Sequence, residues 1–465
     1  MSCQWRAFLV GTFYICFGAT ERSAWPVLYL SVGEGLGASG ALAAWTLVTF
    51  ALGMAGSTLI TGRLGDLMGH KRMAIIGFTA EGALLLSCAF MPSIWLILGL
   101  RLFQGMAASS ALGNCQAFMI SNFTREQRGR VVGLMAGSGA AGLFLGPLYA
   151  GLIGEHFGWR WAIAGLSTVM FTQSVLTAAF IRKDSDVAVD RRGAVRSLSW
   201  AGAGLVMASI ASLVVGGQLM RLDQWRLAGA LLLIAAAVGG FVLVRVERKA
   251  VSPVIRIDLF KSRAFATACA FLMWTSLSFS GTQILFPFFL QLGLGWTKAF
   301  SGWILTMLFA AQPFGAPIAG MLSDRLGSYR IFIAGVGFTV LGLVLGAALP
   351  DSAVWQQVVP ILLIFSVGTS LTGPALSRLV VRDVARTAMG SATAMTVGTR
   401  YVGQSIGGAL TAGILAAGAT APVGQTFRAG MLALALITAA GSVLILAVPV
   451  IASRLRGART PPVPS

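Results

Sequence analysis

Charge is scarce in this chain. Only 11% of its 465 residues are Asp, Glu, Lys or Arg, and just 15 of those are acidic, against 56% hydrophobic residues and a mean hydropathy of +0.82. Such a composition cannot clothe a water-facing surface. Histidine is nearly absent: His70 and His156 fall in expected loops with no ligating partners around them. The five cysteines (Cys3, Cys16, Cys88, Cys115, Cys269) are scattered without a CxxC pair, which excludes a disulfide framework and a metal cluster. The sequence lacks a GxxxxGK[ST] phosphate loop, so ATP-driven pumping has no support. It also lacks a repeated filter or ring of charge of the kind a channel uses. With no nucleophile, metal cluster or acid pair to carry catalysis, an enzyme is not expected, and secondary transport remains.

What the chain does have is long uncharged runs. Residues 73–80 and 82–100 are examples, and roughly 20 apolar residues suffice to cross about 30 Å of hydrocarbon. About fourteen such spans are predicted, starting near residues 7, 40, 73, 94, 130, 159, 198, 226, 264, 299, 331, 354, 389 and 428. The 58 glycines suit helices that must approach closely where lipid gives no hydrophobic drive. Orientation follows from the 34 Lys and Arg. With the N-terminus inside, only Arg160, Arg221, Arg226, Lys298 and Arg428 fall outside, while Arg22, Arg101 and Arg400 lie within spans. This is the positive-inside bias of a multi-pass inner (cytoplasmic) membrane protein with both termini in the cytoplasm, the first span serving as a start-transfer helix. The net charge of +19 then faces anionic lipid and needs no nucleic acid.

Two cytoplasmic stretches stand out as linkers, Arg182–Arg196 and Glu247–Arg263, the second with a short amphipathic segment around Pro253–Phe260. The outer loops are too short for a binding domain, so function must sit among the helices. An internal repeat relates residues 62–72 after span two to residues 320–330 after span ten, in register at Gly, Leu/Met, Asp, Gly and Arg. Duplicated bundles around a midplane site are a common transporter plan. The expected organisation is an N-terminal six-helix bundle at 1–183, a linker with two additional spans at 184–262, a C-terminal six-helix bundle at 263–456 and a short tail at 457–465.

The motifs narrow this further. Gly62, Asp66, Gly69, Lys71 and Arg72 form a G-x-x-x-D-x-x-G-x-[RK]-[RK] loop, with Asp324, Arg325 and Arg330 in the second copy. Span four carries Arg101-Leu-Phe-Gln104-Gly105, and span five Gly142-x-x-x-Gly146-Pro147-x-x-x-Gly151 followed by Trp159-Arg160-Trp161. These resemble the motifs of the major facilitator superfamily and, with fourteen spans, its drug:proton antiporter branch. The resemblance implies a major facilitator fold of two six-helix bundles plus two central spans. It further implies a monomer that uses the proton gradient, without a cofactor, to export hydrophobic or cationic small molecules by alternating access. Export of one endogenous metabolite, or a sensor that kept the fold, are the alternatives. The first loop would act as a conformational latch, with Asp66 capping span three; otherwise it is a solvated basic loop. The glycines and Pro147 would let two bundles pack and pivot. The sequence departs from the branch in span one, where Glu21-Arg22-Ser23 replaces an Asp-x-Thr pattern, and after Trp161, where Asn-Pro is missing.

Proton coupling needs a carboxylate inside the membrane, and only Glu21 and Glu81 are placed there. Span one cannot end before Glu21, because about fourteen residues are too few to cross. Glu21 is expected as the principal proton site with Arg101 as its state-dependent partner, or else as a structural ion pair with Arg22. Glu81 is a second acid or a packing residue. H⁺ is favoured over Na⁺ because no cluster of carboxylates is visible. Trp25, Trp45, Trp274, Gln283, Phe286, Phe288 and Gln312 are candidates for lining the substrate cavity. Arg400 could hold an anionic group or bridge helices through carbonyls.

Overall fold

The computed structural model describes residues 3–181, 199–220, 223–250, 255–382 and 389–446, so the Arg182–Arg196 linker, Pro253, Val254 and the 457–465 tail lie outside the described residues. Among the described residues the long elements are all helices. The first half holds α1 (Cys3–Gly35), α2 (Gly40–Met68), α3 (His70–Phe90), α4 (Ile94–Ser121), α5 (Arg125–His156) and α6 (Trp159–Phe180). A central hairpin follows, α7 (Trp200–Leu219) and α8 (Arg226–Lys249). The second half holds α9 (Arg263–Phe288), α10 (Lys298–Thr306), α11 (Gln312–Leu326), α12 (Ser328–Ala347), α13 (Trp355–Arg382), α14 (Met389–Ala417) and α15 (Val423–Leu446).

The stretch Lys298–Ser323 is bent by 48° where Lys298–Gly315 gives way to Pro317–Ser323. Pro317, inside α11, has no N–H to continue the ladder, and the 3₁₀ turn Met307–Phe309 separates α10 from α11. Counting that pair once gives up to 12 spans that are long and apolar enough to cross among the described residues. α1 and α14 are longer still, and what sets them apart is the charge they carry, Glu21 and Arg22 in one and Arg400 in the other. The predicted starts agree with these helices to within a few residues, the largest differences being 130 against Arg125 and 428 against Val423. The repeat is also real in three dimensions. Gly69 (φ 96°) and Gly327 (φ 87°) each end one helix and start the next with a single left-handed residue, a conformation that needs glycine.

That tight turn corrects one expectation. Asp66 is not a cap on α3 but lies in the last turn of α2, where its Oδ1 is 3.4 Å from His70 Nε2. His70 is correspondingly the first residue of α3 and not a loop residue. The amphipathic stretch proves to be a short 3₁₀ helix, Ile257–Lys261. Glu247 belongs to α8, buried, with Oε2 accepting the Ile255 N–H at 2.8 Å.

In the first half α1 packs on α5, α2 and α3 on α4, and α3 on α6; in the second α9 packs on α14 and α15, and α12 on α13 and α15. The halves meet along α2–α14 and α5–α10. The α7–α8 hairpin lies outside both bundles. α7 touches α2 and α14, while α8 packs chiefly on α7 and exposes Leu227, Ile234 and Phe241, as a lipid-facing helix does. Between the C-terminal ends of α1 and α5, the turn Phe289–Gly293 and the start of α10 lies a cavity of about 480 Å³ lined by Glu34, Glu155, Gln291, Trp296 and Lys298 among others.

Candidate functional site

Glu21 sits 18 residues into the 33-residue α1, about 27 Å along its axis, a fully buried carboxylate near the middle of the helix. A charge there must find a partner. Arg101, 1% exposed on α4, donates from Nη1 to Glu21 Oε1 at 2.8 Å. Gln104 Nε2 donates to the same oxygen at 3.0 Å and Gln104 Oε1 accepts from Arg101 Nη1 at 2.6 Å. Arg101 Nε donates to the Thr46 carbonyl at 3.2 Å. The guanidinium lies between two rings, 3.9 Å from the centre of Trp25 and 4.3 Å from that of Phe50, where desolvated cation–π contacts are strong. Trp25 is held in turn by its Nε1–H on Thr46 Oγ1 at 2.7 Å.

α2 and α4 come this close because glycines meet at their crossing. A methyl group at Gly53 would overlap the Leu102 carbonyl, and one at Gly105 the Phe50 carbonyl. Glu21 Oε2 is buried without a hydrogen-bond partner, so half of this carboxylate has capacity to spare.

Glu81, also fully buried, belongs to a neighbouring group. Tyr14 donates its hydroxyl to Glu81 Oε2 at 3.1 Å, and Glu81 Oε1 has no partner. Arg22 does not pair with its neighbour Glu21. Adjacent helical residues point about 100° apart, and among the described residues no carboxylate lies within ion-pair distance of Arg22. Its guanidinium folds back over Gly18 towards Tyr14.

The α5 glycines have three separate uses. A side chain at Gly142 would overlap the Cys16 carbonyl of α1, and one at Gly146 would overlap Ser23 Oγ and the Thr20 carbonyl. One at Gly151 would meet the Lys298 carbonyl at 2.7 Å and Gly302 Cα at 3.1 Å on α10, while Pro147 presents its carbonyl to Gly302. The motif thus binds α5 to α1 within one half and to α10 across the two halves.

At the first copy of the repeated loop, Lys71 Nζ donates to the Ala178 carbonyl at 3.2 Å and to that of Ile181, tying α3 to the end of α6. His70 Nδ1 is 2.9 Å from Asn114 Oδ1. Arg72 is exposed, and so are Arg325 and Arg330 in the second copy. A side chain at Gly62 would meet open space, and the Asp324 side chain lies outside the described residues.

The proposed cavity residues divide. Trp25 (0% exposed) and Phe286 (1%) are core, Phe286 lying edge-on to Phe427, so neither lines an open cavity. Trp274 Nε1–H is spent on the Ile437 carbonyl of α15. Trp45, Gln283, Phe288 and Gln312 are partly exposed, Gln312 donating to Thr369 Oγ1 at 3.2 Å. Arg400 is exposed on α14 beside the buried Tyr401. Sequence reasoning missed the roles of Gln104, Thr46, Phe50 and Tyr14. Gln104 alone carried a signal, three residues from Arg101 and so on its face of the helix.

Comparison with known proteins agrees with this architecture. The family model described as Major Facilitator Superfamily matches residues 10–198 and 263–463, and the interval between the two segments is where α7 and α8 lie. Multidrug resistance protein Stp of Mycobacterium tuberculosis is 25% identical over 381 residues, 80% of this chain and 68% of that protein. Methyl viologen resistance protein SmvA of Salmonella typhimurium is 26% identical over 76% of this chain and 70% of its own length. Riboflavin transporter RibZ of Clostridioides difficile is 24% identical over 73% and 72%. Among solved structures, the nucleoside transporter NupG superposes with a TM-score of 0.66 over 96% of this chain and 99% of its own, at 13% identity, which shows a shared fold.

Proposed function

The chain belongs to the major facilitator superfamily, and from that premise we propose that it exports hydrophobic small molecules across the inner membrane in exchange for protons, with Glu21 carrying the proton. The observation that carries this reading is the fully buried Glu21 carboxylate, held at one oxygen by Arg101 and Gln104 and without a partner at the other. A proton on Glu21 cancels the ion pair and releases Arg101 to its remaining contacts, Gln104, the Thr46 carbonyl and two aromatic faces. Loss of that proton restores the pair. α1, α2 and α4 all contribute to this unit, so its two arrangements can bias the packing of the whole N-terminal bundle, the kind of two-state element that alternating access needs. Glu81 with Tyr14 is the reserve acid, close enough to feel the charge on Glu21.

The α5 motif supports the antiport reading, since it joins the proton-bearing α1 to the seam with the second half. The drug-resistance names of two relatives favour a broad cargo range; the riboflavin transporter among them supports the second reading, one dedicated metabolite.

Everted vesicles energised with a proton gradient test it. Addition of several unrelated amphipathic compounds should collapse the gradient in wild type and not in Glu21→Gln, with equal protein inserted. Equal collapse by the variant would remove Glu21 from the proton path, and response to a single metabolite alone would select the dedicated exporter.

A further inference from the structure

Four charged side chains meet at the middle of the N-terminal bundle, and they are not equally reachable. Glu21 and Glu81 are 0% exposed and Arg101 1%, whereas Arg22 keeps partial exposure. Glu21 is held by Arg101 and Gln104, and Glu81 by the Tyr14 hydroxyl. Arg22 has no such engagement: its Nη1 is buried without a hydrogen-bond partner, and no carboxylate lies within ion-pair distance among the described residues. The guanidinium reaches this place because Gly18 has no side chain. A methyl group there would be 3.3 Å from Arg22 Nη1 and 3.2 Å from Tyr14 Cζ. Its electrostatic neighbours are Tyr401 from the opposite half, Tyr14, Glu81 and Glu21, so Arg22 faces the junction of the two halves.

We propose that Arg22 is the recognition point for an anionic group on the cargo, a carboxylate or comparable oxyanion. This deepens the exporter reading and rests on it for the word cargo, but the binding chemistry stands on the residues alone. The guanidinium left without a carboxylate partner is positive, so it repels an organic cation and offers a carboxylate charge-assisted hydrogen bonds in a fixed fork. The two acids that would attract a cation are fully buried, each bonded through one oxygen, Glu21 to Arg101 and Gln104 and Glu81 to Tyr14. Tyr401 adds a phenol from the second half, so an anion bound at Arg22 would touch both halves.

The test is equilibrium binding of three fluorescent probes of matched size to the purified full-length chain in neutral detergent: N-dansylglycine, its amide and a dansyl quaternary ammonium. The carboxylate should bind about tenfold or more tightly than the amide, with the ammonium weakest. Arg22→Gln should bring the carboxylate down to the level of the amide, and Arg22→Lys should keep a large part of the preference. Equal binding of carboxylate and amide by wild type, tighter binding of the ammonium, or no binding of any of the three overturns the proposal. So does a carboxylate preference that survives in Arg22→Gln. The wild-type comparison needs no variant to fold. Vesicle measurements separate the two readings: carboxylate binding without proton exchange would overturn the antiport and leave Arg22 in place, and proton exchange driven equally by amide and ammonium would do the converse.

Discussion

At the scale of single residues, the Glu21–Arg101 pair belongs to a class whose members are costly to break and cheap to remove together. Deleting one partner of a buried pair leaves an uncompensated charge, at a cost of about 3–5 kcal/mol, whereas replacing both with apolar groups is often neutral. Arg101→Leu should therefore lower thermal stability in detergent strongly, and the double variant Glu21→Leu/Arg101→Leu should recover most of the loss while remaining inactive. If the double variant is no more stable than Arg101→Leu, the pair is not an isolated unit and the Gln104 and Thr46 contacts carry more of the energy. Glu21 and Arg101 were legible in the sequence because an ionised group inside an apolar run is conspicuous by itself. Trp25, Phe50 and Tyr14 were not, since an aromatic residue in a span gives no hint of which face it presents; only the α2–α4 crossing at Gly53 and Gly105 brings Thr46 and Phe50 to the guanidinium. The alternative of a Glu21–Arg22 ion pair rested on adjacency in sequence, which on a helix turns the two side chains about 100° apart, and Glu21 pairs with Arg101 instead.

Helices as elements were the most legible level, because hydropathy alone sets where a span begins and the short loops leave little slack. What hydropathy does not encode is the break within span ten, where Met307–Phe309 tightens to a 3₁₀ turn, or the π turn Phe289–Gly293 that prolongs α9. Asp66 shows the limit at a boundary: one left-handed glycine shared by two helices keeps it inside α2. The α5 glycines yield a prediction with two distinguishable parts. Gly146→Val forces α1 and α5 apart within one half, and overpacking of this kind costs about 1–3 kcal/mol, so the melting temperature should fall. Gly151→Ala meets α10 of the other half, so it should leave the melting temperature nearly unchanged and instead open the outer seam. Labelling of an outer-facing cysteine would report that opening. A large melting shift from Gly151→Ala would mean that the α5–α10 seam is a permanent contact and not a gate.

At the scale of the whole molecule, the end that is outer in the proposed orientation is closed by few directional contacts. Tyr29 donates its hydroxyl to the Ile284 carbonyl at 3.0 Å, Gln291 Nε2 donates to the Val27 carbonyl at 3.2 Å, and the Lys298 N–H donates to Glu155 Oε2 at 2.8 Å. Each joins the first half to the second, and each is worth about 1 kcal/mol net. The three together thus contribute about 3 kcal/mol to closure, an amount that a cargo molecule or a proton can offset by differential binding. Beside them α5 and α10 approach backbone to backbone at Gly151 and Gly302, and Leu28, Tyr29 and Val32 share one buried apolar cluster with Ile284 and Ile304. Tyr29→Phe removes one hydrogen bond and almost no volume, so it should shift the population towards the outward-open form by about 1 kcal/mol, or about fivefold. A cysteine at Gln283, one residue before Ile284 and partly exposed, would serve as reporter in a background cleared of native cysteines. Its alkylation by a membrane-impermeant maleimide from outside should accelerate by that factor in Tyr29→Phe. An unchanged rate would mean that the Tyr29 bond is made in both states, and the closure would then rest on the α5–α10 approach and on the bond from the Lys298 N–H to Glu155 of α5.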